Sequence, residues 1–115
     1  MKDERLYLIH IKECIEKIEQ YTAYGKSKFL MDSKTHDAVI RNFEIIGEAV
    51  KRLSDNTRQL APHIPWRQFA GFRDILIHQY DGVDLSEVWM TIENDLSELK
   101  ESIKKISCSC EIQTS

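Results

Sequence analysis

The strongest constraint on the fold is the spacing of apolar residues, which recur every three or four positions along most of the chain. The clearest repeat runs from Leu85 to about Ile106. Its apolar positions are Val88, Trp89, Ile92, Leu96, Leu99, Ile103 and Ile106. This spacing places them on one face of an α-helix. With only 4 glycines and 2 prolines in 115 residues, the sequence predicts long helices that pack their apolar faces together.

Three earlier stretches show the same period. They run from Glu4 to about Tyr24, from about Lys34 to Ser54, and from about Pro65 to Gln79. The pair Asp32-Ser33 precedes the second stretch and is a candidate N-cap, with a short apolar segment just before it. We therefore predict an all-α fold, an up-and-down four-helix bundle with an additional short helical segment.

Size and composition limit the domain organisation. The length predicts one domain with a modest core, which we place at residues 1–107, followed by a flexible C-terminal tail at 108–115. Residues 55–65 are expected to form an irregular connection. Charged residues interrupt every apolar run, and no signal peptide is evident, so we expect no membrane segment and a cytoplasmic location.

Charge and cysteine content exclude some kinds of site. The net charge is −3, so the chain has no global basic field, and any RNA contact must come from a local patch. Cys108 and Cys110 lack a second pair and a nearby histidine, and a structural zinc normally needs four ligands. We therefore expect no metal and no cofactor.

A polar cluster interrupts the apolar pattern near the end of the third predicted helix. Arg73, Asp74, His78 and Tyr80 fall within eight residues, around an apolar run at 75–77. Arginine is a permanent cation suited to phosphate oxygens, and histidine exchanges a proton near neutral pH. The combination suggests phosphodiester chemistry, which would be metal-independent cleavage of RNA: a base activates the ribose 2′-OH and an acid protonates the leaving oxygen. By residue type and spacing alone, surface and capping roles are more common for an arginine and a histidine on a helix.

Helical geometry divides this cluster into two faces. Asp74 and His78 are four residues apart, so the carboxylate can accept a hydrogen bond from the imidazole. Arg73 and Tyr80 are seven apart and share a different face. Arg73 and His78 diverge by about 140° on a regular helix. One helix therefore does not readily aim both at one phosphate, which predicts either a looser helix near Gln79 or a cleft shared by two subunits.

Glu48 is a candidate supporting residue on the second predicted helix. Arg41 and Glu48 are seven residues apart and lie on roughly one face. One interpretation is a solvated face of alternating charges. The other is that Glu48 holds a cation of the third predicted helix in place.

The pattern Arg73-x4-His78-x-Tyr80 resembles the signature of the HepT-like toxins, within the HEPN superfamily of helical ribonucleases. The flanking sequence extends the resemblance over nearly the whole chain. Its segments are Phe43-Glu44-Ile45-Ile46-Gly47-Glu48-Ala49, Pro62-x-Ile64-Pro65-Trp66, Gly71-Phe72-Arg73-Asp74, Tyr80-Asp81-Gly82-Val83-Asp84 and Val88-Trp89. The bare Arg-x4-His spacing is weak, but with these flanks it is specific.

The resemblance implies a HEPN-like homodimer with a composite cleft that acts as an endoribonuclease toxin on RNA. Arg73 and His78 would be catalytic, with Asp74 and Glu48 supporting them. It also implies a cognate MntA-like nucleotidyltransferase antitoxin, which silences the toxin by transferring AMP onto the motif tyrosine, here Tyr80. Bulk and negative charge on Tyr80 would then sit beside Arg73, where an RNA phosphate should bind.

Two other classes of function stay open from the sequence. One is a non-catalytic helical module that binds a nucleotidyltransferase or a nucleotide, which the acidic net charge favours. The other is a phosphotransfer bundle with a phosphorylatable histidine. His78 fits that role poorly, because it stands close to a Tyr-Asp-Gly turn rather than in mid-helix.

Overall fold

The computed structural model describes residues 4–71 and 85–114, and in these ranges all regular secondary structure is helical. The helices are α1 Arg5–Tyr21, α2 Lys26–Met31, α3 Ser33–Lys51, α4 Asp55–Gln59, α5 at residues 66–71, α6 Leu85–Asn94 and α7 Leu96–Thr114. The predicted all-α fold is confirmed. Over the same residues, no helix is long and apolar enough to span a bilayer.

The core lies where α1 packs against α3 and α7. Each of the three helices contributes fully buried apolar side chains at the predicted three- and four-residue spacing. Ile15 of α1, Phe43 of α3 and Ile103 of α7 are at most 1% exposed. At the surface, Lys100 of α7 donates to Glu19 of α1 over 2.8 Å, and this hydrogen bond raises the pKa of Lys100.

The turn between α1 and α3 contains a short helix and two specific end residues. The first helix ends at Tyr21, not near Tyr24 as predicted, where the Thr22 hydroxyl donates to the Ile18 carbonyl over 2.7 Å. Gly25 then takes a φ of +95°, a left-handed conformation suited to glycine, and starts α2. Asp32 caps α3 as predicted, because its carboxylate accepts from the Lys34 amide over 3.1 Å.

The connection at 55–65 was predicted to be irregular, and for its first half this is wrong. Residues Asp55–Gln59 form α4, capped by Ser54, whose hydroxyl accepts from the Thr57 amide over 3.2 Å. Glu4 joins the start of α1 to this cap, since its carboxylate accepts from the backbone amide and hydroxyl of Ser54 and from the Thr57 hydroxyl. A contact across fifty residues thus stabilises a helix too short to form alone.

The last predicted helix is divided and longer than expected. A turn at Asp95 separates α6 from α7, although the Asp95 amide still bonds to the Thr91 carbonyl over 2.9 Å. The end predicted near Ile106 is wrong, because α7 continues to Thr114. The division into a domain at 1–107 and a flexible tail at 108–115 stays a prediction, as does the homodimer.

Candidate functional site

The four motif residues lie outside the described part of the chain. The roles of Arg73, Asp74, His78 and Tyr80 and the distances between them therefore stay predictions. The structure does define the helices on either side of the motif. The upstream helix, α5, is described to Gly71, two residues before Arg73, and α6 begins downstream at Leu85.

The upstream side is anchored by two aromatic residues. Trp66 and Phe69 are 7% and 3% exposed and belong to the core. The indole Nε1 of Trp66 donates to the carbonyl of Arg58 over 2.9 Å and to that of Ala61 over 3.0 Å. A buried indole needs such a partner, and here it ties the start of α5 to the end of α4. The helix that leads into the motif therefore starts from a fixed position.

The downstream side is anchored through α6. Val88 is 1% exposed, and the Thr91 hydroxyl donates to the Glu87 carbonyl one turn earlier over 3.2 Å. The ring of Trp89 lies 5.6 Å from that of Phe29 in α2, which fastens α6 to the turn between α1 and α3. Both helices that border the motif are thus held by the core.

A pocket of about 510 Å³ lies between α5 and α6, beside the two ends of the motif segment. Its described lining residues are Gln68, Gly71, Glu87, Met90, Thr91, Asn94 and Asp95. We call it the acidic pocket, because Glu87 and Asp95 are the charged members of this set. Two carboxylates repel phosphate oxygens. The described side of this pocket is therefore suited to hydrogen-bond donors or cations, and a phosphate would depend on other groups.

Glu48 takes part in the surface charge pattern of α3. Its carboxylate lies 3.3 Å from the Arg52 guanidinium, and Arg41 pairs in the same way with Glu44 over 3.7 Å. These are the one-turn ion pairs that a solvated charged face forms. Support for a cation of the motif helix by Glu48 stays a prediction.

A second pocket was not predicted from the sequence. It has a volume of about 420 Å³ and lies where α4 meets the start of α5. Its lining residues are Asp55, Arg58, Gln59, Pro62, Ile64, Pro65, Trp66 and Arg67. We call it the cationic pocket, because it contains two arginines and one aspartate. The only sequence signal was a pair of arginines on either side of a proline-containing link.

The remaining ionisable groups suggest no further centre. In residues 4–71 and 85–114, no group of three or more histidine, cysteine or acidic side chains is arranged to hold a metal ion. Cys14 is a buried free thiol in α1, and burial raises its pKa, which favours the unreactive protonated form. It belongs to the hydrophobic core.

Comparison with known proteins identifies close relatives. A Methanocaldococcus jannaschii protein named "Gamma-glutamylcyclotransferase and putative RNase" is 50% identical over 111 residues, which cover 91% of this chain and 48% of that protein. This chain thus spans about half of that relative. "Probable ribonuclease HepT" of Thermococcus cleftensis is 46% identical, over 87% of this chain and 92% of its own length. A Caldanaerobacter subterraneus protein named "Putative RNase" is 41% identical, over 92% of this chain and 96% of its own length.

The family assignment rests on these relatives and on a match to a whole family. No solved structure is significantly similar to the chain. The family described as Ribonuclease HepT-like matches residues 11–106, which include the motif and all the helices that border it. The chain therefore belongs to the HepT-like ribonuclease family.

Proposed function

We propose that this chain is a metal-independent endoribonuclease that acts as the toxin of a toxin–antitoxin system. The observation that carries the proposal is the motif Arg73-x4-His78-x-Tyr80, which stands in a member of a ribonuclease family between two core-anchored helices. Relatives that match over nearly their whole length are named as ribonucleases, which supports the same activity here.

The chemistry is a transesterification at an RNA phosphate. A base withdraws the proton from the ribose 2′-OH, the alkoxide attacks the adjacent phosphorus, and an acid protonates the departing 5′-oxygen. His78 supplies the proton transfers, since imidazole titrates near neutral pH. Arg73 binds the phosphate oxygens as their negative charge grows. Asp74 orients the His78 imidazole, and Glu48 supports a cation of the motif.

Two subunits build the cleft in this proposal. Arg73 and His78 are five residues apart, which on a regular helix separates their directions by about 140°. A two-fold dimer removes this conflict, because each phosphate can meet residues from both copies. It also brings two copies of His78 together, one as base and one as acid.

Regulation acts through Tyr80. A cognate MntA-like nucleotidyltransferase antitoxin transfers AMP from ATP to the Tyr80 hydroxyl. The Tyr80 oxygen loses its proton and forms a bond to the α-phosphorus of ATP. The bond between that phosphorus and the pyrophosphate oxygen breaks, and pyrophosphate leaves with its electron pair. On a regular helix, Tyr80 shares the Arg73 face, so the added phosphate competes with RNA for the same cation.

The catalytic part is tested by cleavage of single-stranded RNA in the presence of a chelator. We expect His78→Ala and Arg73→Ala each to lower the cleavage rate by about 10²- to 10⁴-fold, as loss of acid–base or oxyanion catalysis does. The matched controls are His10→Ala and Arg41→Ala, which change exposed residues of α1 and α3. Unchanged cleavage in the motif variants, or no cleavage by the wild type, would refute the catalytic role.

The shared cleft is tested by dilution. Sedimentation gives the dimer dissociation constant, and the specific cleavage rate is measured on both sides of it. We expect the rate per subunit to fall in proportion to the fraction of dimer. A constant rate per subunit in the monomer range would show that one chain is sufficient.

The regulatory part is tested by intact mass after coexpression with the neighbouring nucleotidyltransferase. We expect increments of one or more AMP units on the wild type and on Tyr24→Phe. Tyr24 is a suitable control, because its side chain is 83% exposed. Tyr80→Phe should show no increment. An unmodified wild type, or equal modification of both variants, would contradict the role of Tyr80.

A non-catalytic module that binds a nucleotidyltransferase or nucleotide is the second candidate. The net charge of −3 and the two carboxylates of the acidic pocket favour it. The two proposals separate in the cleavage assay. Tight binding to the nucleotidyltransferase with no cleavage of any RNA, and harmless expression in the host, would establish the second.

A further inference from the structure

We propose that the cationic pocket binds a backbone phosphate of the RNA, away from the phosphate that is cut. The inference rests on the proposed ribonuclease function and adds a binding site to it. The pocket is an open depression of about 420 Å³, and Arg58 and Arg67 are among its lining residues. Pro62 and Pro65 also line it and add apolar surface, which suits the ribose next to a bound phosphate.

Arg58 is held in place by an ion pair that occupies only part of its hydrogen-bonding capacity. One terminal nitrogen lies 2.9 Å from an Asp55 carboxylate oxygen, and the side chain is 31% exposed. Its Nε is buried and makes no hydrogen bond to the described residues, so only the terminal N–H groups can reach a ligand. A guanidinium carries five N–H donors, so one bond to Asp55 leaves donors for a second acceptor. A phosphate accepts such bonds in pairs, more strongly than a neutral group does.

Arg67 is the second cation and is exposed in the first turn of α5. The residues one turn away from it, at positions 63, 64, 70 and 71, are His, Ile, Ala and Gly. The helix therefore offers Arg67 no carboxylate at the usual ion-pair spacing, whereas Arg41 and Arg52 each have one. With Arg58 and Asp55, it gives the lining of the pocket a net charge of about +1.

The position of the pocket connects it to the proposed active site. Arg67 and Gly71 are four residues apart, so they lie on one face of α5 and about 6 Å apart along its axis. The motif starts two residues after Gly71. The cationic pocket therefore lies about one helical turn from the last described residue before the motif.

Charge selects RNA as the occupant over a neutral ligand. The whole chain carries −3, and the charged residues on the described wall of the pocket near Gly71 are acidic, so neither attracts a polyanion. Two guanidinium groups on one depression provide the local patch that RNA binding requires. The open shape admits a continuous strand, which a closed cavity would not.

The test measures binding of fluorescein-labelled single-stranded RNA to the uncleaving His78→Ala protein by fluorescence anisotropy. We expect Arg67→Glu in that background to raise the dissociation constant by about tenfold and to reduce the slope of log affinity against log salt by about 0.7, the value for one lost phosphate contact on a single strand. Arg41→Glu is the matched control. It makes the same change in net charge at an exposed position of α3, and we expect at most about a twofold effect from it.

The outcomes separate this inference from the proposed function. Equal weakening by Arg67→Glu and Arg41→Glu would show an effect of net charge only and would overturn the site. RNA binding that is unaffected by Arg67→Glu, while binding to the nucleotidyltransferase is lost, would assign the pocket to a protein partner and overturn it too. Failure of the wild type to cleave RNA refutes the ribonuclease proposal, which the anisotropy does not measure.

Arg58→Gln provides a second variant, because it keeps most of the side-chain length and removes the charge. We expect it to weaken RNA binding about as much as Arg67→Glu, with a circular dichroism spectrum like that of the wild type. If both variants stay folded and bind RNA with wild-type affinity, the inference is wrong.

Discussion

The two pockets that border α5 differ in charge although they are only one helical turn apart. At its first turn, α5 meets α4, and the pocket there is lined by two arginines and one aspartate. At Gly71, it meets α6, and Glu87 and Asp95 are the charged side chains on the described wall. A short helix thus lies between a pocket whose lining has a net positive charge and one whose described wall is negative. In our proposal, this difference favours the approach of a polyanion from the side of the cationic pocket.

The largest expected effect is the loss of the residue that holds α5 in place between the pockets. Trp66→Ala should lower the free energy of unfolding by about 3–5 kcal/mol, as large-to-small changes in a core do. Trp66→Phe should cost about 1 kcal/mol, because it keeps the packing and loses only the indole N–H bonds. Urea unfolding followed by circular dichroism measures both. A loss below about 1 kcal/mol for the alanine variant would mean that α5 is positioned by other contacts.

Glu4 should affect the cationic pocket and leave the acidic one alone. Its carboxylate holds the start of α4, the helix that carries Arg58, through Ser54 and Thr57. We expect Glu4→Ala to cost about 1 kcal/mol of unfolding free energy, since these hydrogen bonds are near the surface. Hydrogen exchange should rise in α4 and stay unchanged in α6. Equal increases in both helices would show that Glu4 acts on the whole bundle.

Reversing a charge in the acidic pocket should reduce the difference in charge between the two pockets. Glu87→Lys places a cation on the exposed side of α6, so we expect the RNA dissociation constant of the His78→Ala protein to fall by about threefold. Glu13→Lys on α1 makes the same change in net charge away from both pockets. Equal effects in the two variants would show that total charge, and not its location, controls RNA binding.

The smallest effect concerns Asp32, which lies in the turn before α3. Its substitution should affect neither of the two pockets. Hydrogen bonds from Thr35 lower the pKa of Asp32 in the folded state. Because the pKa of Asp32 is lower in the folded state than in the unfolded state, the ionised carboxylate stabilises the folded protein. This stabilisation is fully present above the unfolded pKa of about 3.9 and is lost as the pH falls through the folded pKa. Asp32→Asn should therefore be less stable than the wild type at neutral pH, and the gap should close below about pH 4. A gap that persists at pH 2 would contradict the role of the charge.

What the sequence predicted well depends on residues close together in the chain. Asp32 is recognisable as a cap because its partner, Lys34, is two residues away. The burial of Trp66 and Phe69 follows from a helical repeat that needs no knowledge of distant segments. Local patterns of this kind define most of the bundle.

What the sequence did not predict depends on contacts between distant segments. The apolar repeat is missing from α4, which is stabilised by Glu4 from fifty residues away. The turn at Asp95 leaves the apolar spacing of the flanking helices unchanged, so periodicity could not reveal it. The cationic pocket forms because the link between Arg58 and Arg67 folds back on itself, which composition does not show. The motif itself remains a sequence-based prediction, since its four residues lie outside the described ranges.

The hydrogen bonds from the Trp66 indole to two backbone carbonyls also determine where the chain can tolerate extra residues. Because the Trp66 N–H meets the carbonyls of both Arg58 and Ala61, the number of residues between them is fixed, and an insertion there would pull the ring from its partners. The hydrogen bonds of the turn around Tyr24 connect residues close in the chain, and the Tyr24 side chain is 83% exposed. We expect a tag or protease site at Tyr24 to be tolerated better than one placed between α4 and α5, which would separate Trp66 from its hydrogen-bond partners.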